Sequence, residues 1–312
     1  MTQQFVLPLP TSTTGYGYRT PFGVVLPPGS QVAAFLRSTG PQTGDDPAIA
    51  SNLVTTLSSA LLRVRSGLGD TVFVLPGHSE SVVDNTMLTN LVSGARIVGI
   101  GTGATQPTFR WTATAGQWIV NQPNVYIAGL RLRMEGANGV VAAIDVTAAD
   151  VAIAECDIET ASGASNLATI AIRASAGATR LTIGPQIRFR GVAAGTSTDL
   201  ILLNAAIDGV VLTGIRGMAA STNGFFRTAA AVTGLQIEDC RFFNIVSGPG
   251  GVFGAQATVA MLNNVKIGLS GDLAATTAFT QGAGATVRYF DTLFADTTNA
   301  YSFGAATGTV ST

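Results

Sequence analysis

Residues Asn124 to Met134, NVYIAGLRLRM, have a grammar that returns down the chain. The turn-prone Asn124 is followed by apolar Val125 and, two places on, Ile127. After a short break a second apolar pair, Leu130 and Leu132, encloses Arg131. The same order reappears as Asp150-Val151-Ile153 with Cys156 and Ile158, and as Gly234-Leu235-Ile237 with Cys240 and Phe242. Residues two apart share one face of a strand, and self-similarity at a fixed interval is the mark of a repeat architecture.

Aligning the first inward residue of each repeat gives Val72, Ile97, Val125, Val151, Leu181, Val210, Leu235, Ala260 and Val287, at spacings of 25 to 30 residues. No helical pattern lies between them, which excludes a βαβ sheet, and the interval is too regular for a sandwich. A solenoid of about nine coils over residues 70–312 fits, each turn laying short strands on those of the turn below. Trp118 and Val120 stand before Val125 as Ile144 and Val146 stand before Val151, so a further strand belongs to each turn. Variable spacing falls in loops such as 161–167 and 192–199, and an extra residue precedes Ile187 and Phe189.

The composition suits such a stack. Only 11% of the 312 residues are charged and 46% are hydrophobic, against roughly 25% charged in an ordinary soluble domain. Seventeen basic and 18 acidic residues leave a net charge of −1, so no overall field draws in nucleic acid. No apolar run reaches the roughly 18 residues of a membrane span, and MTQQFVLPLP lacks the basic start and apolar core of a signal peptide. Cys156 and Cys240 hold equivalent places three repeats apart, roughly 14 Å along the stack, too far for a disulfide.

Residues 1–44 are a different material, rich in Pro, Gly and Thr with Phe5, Tyr16, Tyr18 and Phe22 interspersed. They read as an extended arm whose aromatics dock on a partner. Residues 45–69 read as a capping helix. Asp46 is its N-cap and Pro47 its first residue, Ile49, Leu53, Leu57, Leu61 and Val64 form one face, and Gly67 is the stop. This helix is expected to guard one open edge of the stack. The other would be closed by Tyr289, Phe290, Phe294, Tyr301 and Phe303 or by other subunits.

By its period, the chain from residue 45 to about 300 resembles the right-handed parallel β-helix proteins of the pectate-lyase-like superfamily. More narrowly, the helix followed by GDTVFVLPGHSESV and then by ARIVGIGTGATQPTF resembles the opening turns of β-helical structural proteins of tailed bacteriophages and prophages. The resemblance implies a right-handed parallel β-helix and a virion protein, often trimeric, that decorates the head or forms part of a fibre or spike. It implies no catalytic residue.

Residue by residue, the chemistry is sparse. His78, the one histidine, sits in the turn LPGHSE and reads as a local hydrogen-bonding residue. No Cys or second His offers it a metal site, and nothing frames Ser79 or Ser81 as a nucleophile. Gly99-Ile100-Gly101-Thr102-Gly103 is followed by strand rather than helix, so turn chemistry accounts for it. Glu155, Asp157 and Glu159 alternate, as carboxylates on one outer strand face would. Their spacing of roughly 6.5 Å suits a glycosidase pair or calcium. The competing reading pairs the middle carboxylate with Arg131 and Arg188 across strands.

The slot held by Arg131 reads down the repeats as Arg131, Asp157, Arg188, Arg216, Arg241, Lys266 and Leu293. Successive like charges at one strand spacing repel unless screened, and Asp239 and Asp291 are candidates for that. Otherwise Arg131, Arg216, Arg241 and Lys266 form a contact face for an acidic partner.

These readings lead to one expectation. The chain is an all-β, right-handed parallel β-helix solenoid with a capping helix and an extended arm. It is a structural virion protein assembled in the bacterial cytoplasm, with no cofactor and no catalytic activity. It attaches to the major capsid protein or other virion proteins by its arm and one prism face, as a homotrimer that engages neither nucleic acid nor membrane. The alternative is a tailspike-like protein that binds or cleaves a glycan.

Overall fold

The computed structural model describes residues 29–42, 45–135, 138–163, 166–246, 249–254, 258–269, 279–282 and 284–295. The arm aromatics Phe5, Tyr16, Tyr18 and Phe22, and Tyr301 and Phe303 of the expected C-terminal closure, lie outside these residues.

The chain is a parallel β-solenoid of about eight turns. Among the described residues three long sheets run along it, with eleven, nine and seven strands, here called sheets 1, 2 and 3. One turn takes the chain through Tyr126–Ala128 in sheet 1, Arg131–Met134 in sheet 2 and Ile144–Val146 in sheet 3. Every strand pairing in these sheets is parallel, so like positions stack on like. Inward residues form columns, of which Ile127, Ile153, Ile183, Leu212, Ile237 and Leu262 are one in sheet 1. All six are fully buried in one continuous core.

The break seen in NVYIAGLRLRM has a backbone cause. Just before the sheet 1 strands, Gly94, Asn124, Asp150, Arg180, Gly209 and Gly234 all have positive φ. Between sheets 1 and 2, so do Gly129, Glu155, Gln186, Gly214, Asp239, Asn264 and Asp291. Gly, Asn and Asp tolerate this left-handed conformation best. Each column is also tied by turn-to-turn hydrogen bonds, such as Asn124 N to Ala149 O at 3.1 Å and Asp239 N to Asn263 O at 3.1 Å. At Gly129 glycine is required twice over, because a Cβ there would lie 2.4 Å from the carbonyl oxygen of Gly99.

The register departs from the expected alignment at one step. Val72 stacks on Ile97, but Ile97 stacks on Ile127 rather than on Val125. A slip of two residues keeps every side chain on its own face, so the apolar pattern could not expose it. The extra residue before Ile187 is taken up at Gly184 to Gln186, between Ile183 and Arg188, which stay in register with Leu212 and Arg216.

The expected helix over Asp46–Ser66 is broken. Pro47–Ser51 and Leu57–Leu61 are short helices, and Leu53–Val54 between them is a strand paired in parallel with Phe35–Leu36. Phe35–Leu36 belongs to Val32–Leu36, a strand inside the segment read as arm, which lies on Thr71–Val74 as an additional rung of sheet 1. The supposed apolar face divides accordingly. Ile49 and Leu53 pack with Phe35 and Phe73 on the outside of sheet 1, whereas Leu57, Leu61 and Val64 enter the main core. Pairing of the exposed sheet edge wins over helical periodicity here. Thr56 then starts the second helix as N-cap, its side chain accepting from Ser59 N, and the Glu80 carboxylate accepts from Leu57 N at 2.9 Å.

Candidate functional site: the outer face of sheet 2

Sheet 2 presents two outward columns. The first reads Ser79, Thr108, Arg131, Asp157, Arg188, Arg216, Arg241 and Lys266, each in register with the next, and the backbone of Leu293 continues the register after Lys266. The second, two residues further along each strand, reads Ser81, Arg110, Arg133, Glu159, Arg190, Met218, Phe243 and Gly268. Between them Phe109, Leu132, Ile158, Phe189, Phe242 and Ile267 point inward and are buried.

In the N-terminal half of this face the charges satisfy one another. Arg133 donates to Glu159 at 2.7 Å and reaches Glu135 at 2.5 Å. Arg110 lies 3.5 Å from Glu135, and Arg131 lies 3.9 Å from Glu159. Arg190 donates to Asp157 at 2.8 Å. The hydrogen bond to Glu159 raises the Arg133 pKa above its ordinary value, with Glu135 adding to it. Asp157 is thus flanked in register by Arg131 and Arg188 but bonded by Arg190, along a diagonal that long side chains can span.

The C-terminal half is different. Arg188, Arg216, Arg241 and Lys266 succeed one another on adjacent rungs, and among the described residues none of them has an ion-pair partner. Asp239 accepts a hydrogen bond from Asn264 Nδ2 at 2.7 Å and shares a depression with Arg188 and Arg216, but among the described residues it forms no ion pair with the four cations. Beside the cations, Met218 is 59% and Phe243 39% exposed. The Phe243 ring lies over Gly268, where a Cβ would come within 2.6 Å of it. Arg188, Arg216, Met218, Arg241, Phe243 and Lys266 line a shallow depression of about 580 Å³. Sheet 3 shows what pairing looks like elsewhere on this protein. There Arg173 binds Asp145 at 2.6 Å and Arg227 binds the buried Asp199 at 2.8 Å.

The carboxylate trio is not one row. Glu155 sits in the turn between sheets 1 and 2 with φ 53°, its N–H donating to Pro185 O. Only Asp157 and Glu159 share a strand, and both are held by arginines. Glu155 and Asp157 line a second depression, of about 660 Å³, whose wall includes Arg188 and Arg216. His78 is buried, with Nε2 3.2 Å from Glu80. Among the described residues no three His, Cys, Asp or Glu are placed to share a metal ion. Cys156 and Cys240 are buried free thiols, each pushed up to about 12 by burial. Met218, Phe243, Gly268 and Arg190 were missed as site residues, although their signal was simple: each stands two residues after a member of the ladder.

No protein-family model and no curated protein matches the chain. Among solved structures it is similar to an alginate lyase from Paenibacillus sp., at 12% identity over 85% of this chain and 95% of that one, with a TM-score of 0.37. It is also similar to the A-module of a mannuronan C-5 epimerase from Azotobacter vinelandii, at 11% identity over 89% and 100%, TM-score 0.32. A third is a protein of Geobacillus virus E2, at 12% identity over 85% and 61%, TM-score 0.28. At such identities the likeness is one of fold. It corrects one expectation all the same. With a lyase and an epimerase among the solved structures similar to this chain, a parallel β-solenoid gives no ground for excluding an enzyme, and that exclusion is withdrawn.

Proposed function

We propose that the chain is a structural protein of a bacteriophage virion, a head-decoration or fibre-like component that works by burying one prism face against a neighbouring virion protein. The observation that carries this reading is the C-terminal half of sheet 2. There a parallel sheet presents four cations with no ion-pair partner among the described residues, beside exposed Met218 and Phe243. Surfaces rich in Arg, Met and aromatic residues are typical of protein contact cores. Residues 1–28, the part of the arm that precedes the sheet 1 rung Val32–Leu36, supply a second attachment element, and side-by-side association of three copies completes the assembly. The resemblance of GDTVFVLPGHSESV and ARIVGIGTGATQPTF to the opening turns of phage β-helical structural proteins supports the same reading.

The test is reconstitution. Purified protein is mixed with phage particles lacking it, the particles are sedimented, and its oligomeric state is measured by analytical ultracentrifugation. Saturable, stoichiometric co-sedimentation of a trimer is expected. A monomer that stays in the supernatant, or one that depolymerises a bacterial polysaccharide, overturns the proposal.

A further inference from the structure

The two outward columns of sheet 2 differ in chemistry over the same rungs, and this difference defines an occupant. Arg188, Arg216, Arg241 and Lys266 form the first, while Met218 and Phe243 occupy the second beside Arg216 and Arg241. Adjacent rungs are about 4.8 Å apart and residues two apart on a strand roughly 6.7 Å. The face is therefore a strip about 14 Å long, cationic along one side, with Arg190 followed by the apolar pair Met218 and Phe243 and then Gly268 along the other. Its apolar side is preformed: Gly268 leaves the place into which the Phe243 ring is laid.

We propose that this strip docks an extended acidic segment of a partner protein, in which acidic and bulky apolar residues alternate. An extended segment lying along the solenoid axis sends successive side chains to opposite sides. Carboxylates on one side meet the arginine forks and Lys266, and apolar residues on the other meet Met218 and Phe243. About four or five residues, at roughly 3.3 Å each, span the strip. Charge complementarity argues for the acid. In the upper half the two columns insert Asp157 and Glu159 among their arginines, whereas in the lower half Arg216, Arg241 and Lys266 follow one another without an ion-pair partner among the described residues. The composition argues for protein rather than glycan, because Arg, Met and Phe together mark protein interface cores and the thioether of Met218 adapts to irregular apolar partners.

This inference rests on reading sheet 2 as the attachment face, and two assays keep the two apart. In the first, purified full-length protein is titrated into a labelled ten-residue peptide alternating Glu with Leu or Ser. The Gln-for-Glu peptide and soluble polygalacturonate serve as comparison probes, and binding is read by fluorescence anisotropy at two salt concentrations. The Glu peptide is expected to bind and to weaken with salt. Arg216→Glu and Arg241→Glu should each lower its affinity about tenfold or more, and Gly268→Leu, which displaces Phe243 without reversing charge, should also weaken it. Thermal melts confirm that each variant is folded. Equal binding of the Gln peptide, unchanged binding by the charge-reversed variants, or capture of polygalacturonate in place of the peptide overturns the inference. In the second, the same variants are tested on particles lacking the protein. If wild type and Arg241→Glu coat them equally, the virion reading stands and the docking strip falls. If neither coats them, the virion reading itself falls.

Discussion

The two halves of the outer face of sheet 2 have the same backbone, register and strand spacing, yet opposite electrostatic states. In the first, Arg110, Arg131, Arg133 and Arg190 are each matched with Glu135, Asp157 or Glu159 within 4 Å. From Arg188 to Lys266, cation follows cation with no carboxylate bound among the described residues. One half stabilises the coil. The other carries uncompensated repulsion, which a folded protein retains at little cost only where solvent or a partner screens it.

Substitutions can break or sharpen that contrast. The largest effect is expected beneath the unpaired half, where Gly217→Leu would drive a side chain into the core 2.6 Å from the Phe225 ring. Overpacking of a closed core costs about 3 kcal/mol, to be read by urea denaturation. Gly268→Leu, one rung from Phe243 and on the outer surface, meets only that exposed ring and should change stability by no more than about 0.5 kcal/mol. Equal losses in the two variants would show that the outer strip is as tightly packed as the core.

Next in size is the acid sensitivity of the N-terminal end. Burial alone would raise the Asp70 pKa, but hydrogen bonds from the Arg65 side chain and from the backbone N–H groups of Arg65 and Gln31 outweigh it and hold the carboxyl below its ordinary value. Because the folded value is depressed, the stabilisation is present above the unfolded carboxylate pKa of about 4 and is lost as pH falls through the folded one. Hydrogen exchange between pH 6 and pH 2 should therefore show the first turns opening as pH falls. Asp70→Asn should cost roughly 1–3 kcal/mol at pH 7 and flatten that dependence.

Charge reversals give the most direct comparison of the two halves. Glu159→Lys removes the acceptor of Arg133 and Arg131 and is expected to destabilise by about 1.5 kcal/mol. Arg216→Glu places a carboxylate between Arg188 and Arg241 and should be neutral or stabilising by up to about 0.5 kcal/mol. Matched thermal melts at low and high salt would check both. A loss on Arg216→Glu as large as that on Glu159→Lys would remove the distinction between the halves.

How far the sequence could be read follows from the physics of each element. The ladder Arg131, Asp157, Arg188, Arg216, Arg241, Lys266 and Leu293 was legible because a left-handed turn residue at nearly constant distance fixes where each sheet 2 strand begins. The step from Ile97 to Ile127 was not, since a two-residue slip leaves the apolar pattern unchanged. The helix over Asp46–Ser66 failed for a different reason. Its apolar spacing was genuine, but Leu53–Val54 found an open strand edge at Phe35–Leu36 that a single-sequence period cannot reveal. The carboxylate trio misled because alternation was counted through Glu155, where the backbone turns.

By itself, then, the sequence determined the architecture and the inside-outside assignment of nearly every strand, because period-2 alternation and turn residues are local and repeat along the chain. Which charges are paired was left to the tertiary structure. Arg133 to Glu159 and Arg190 to Asp157 bridge separate turns, and whether an arginine finds its acid depends on side-chain reach across rungs that only folding brings together.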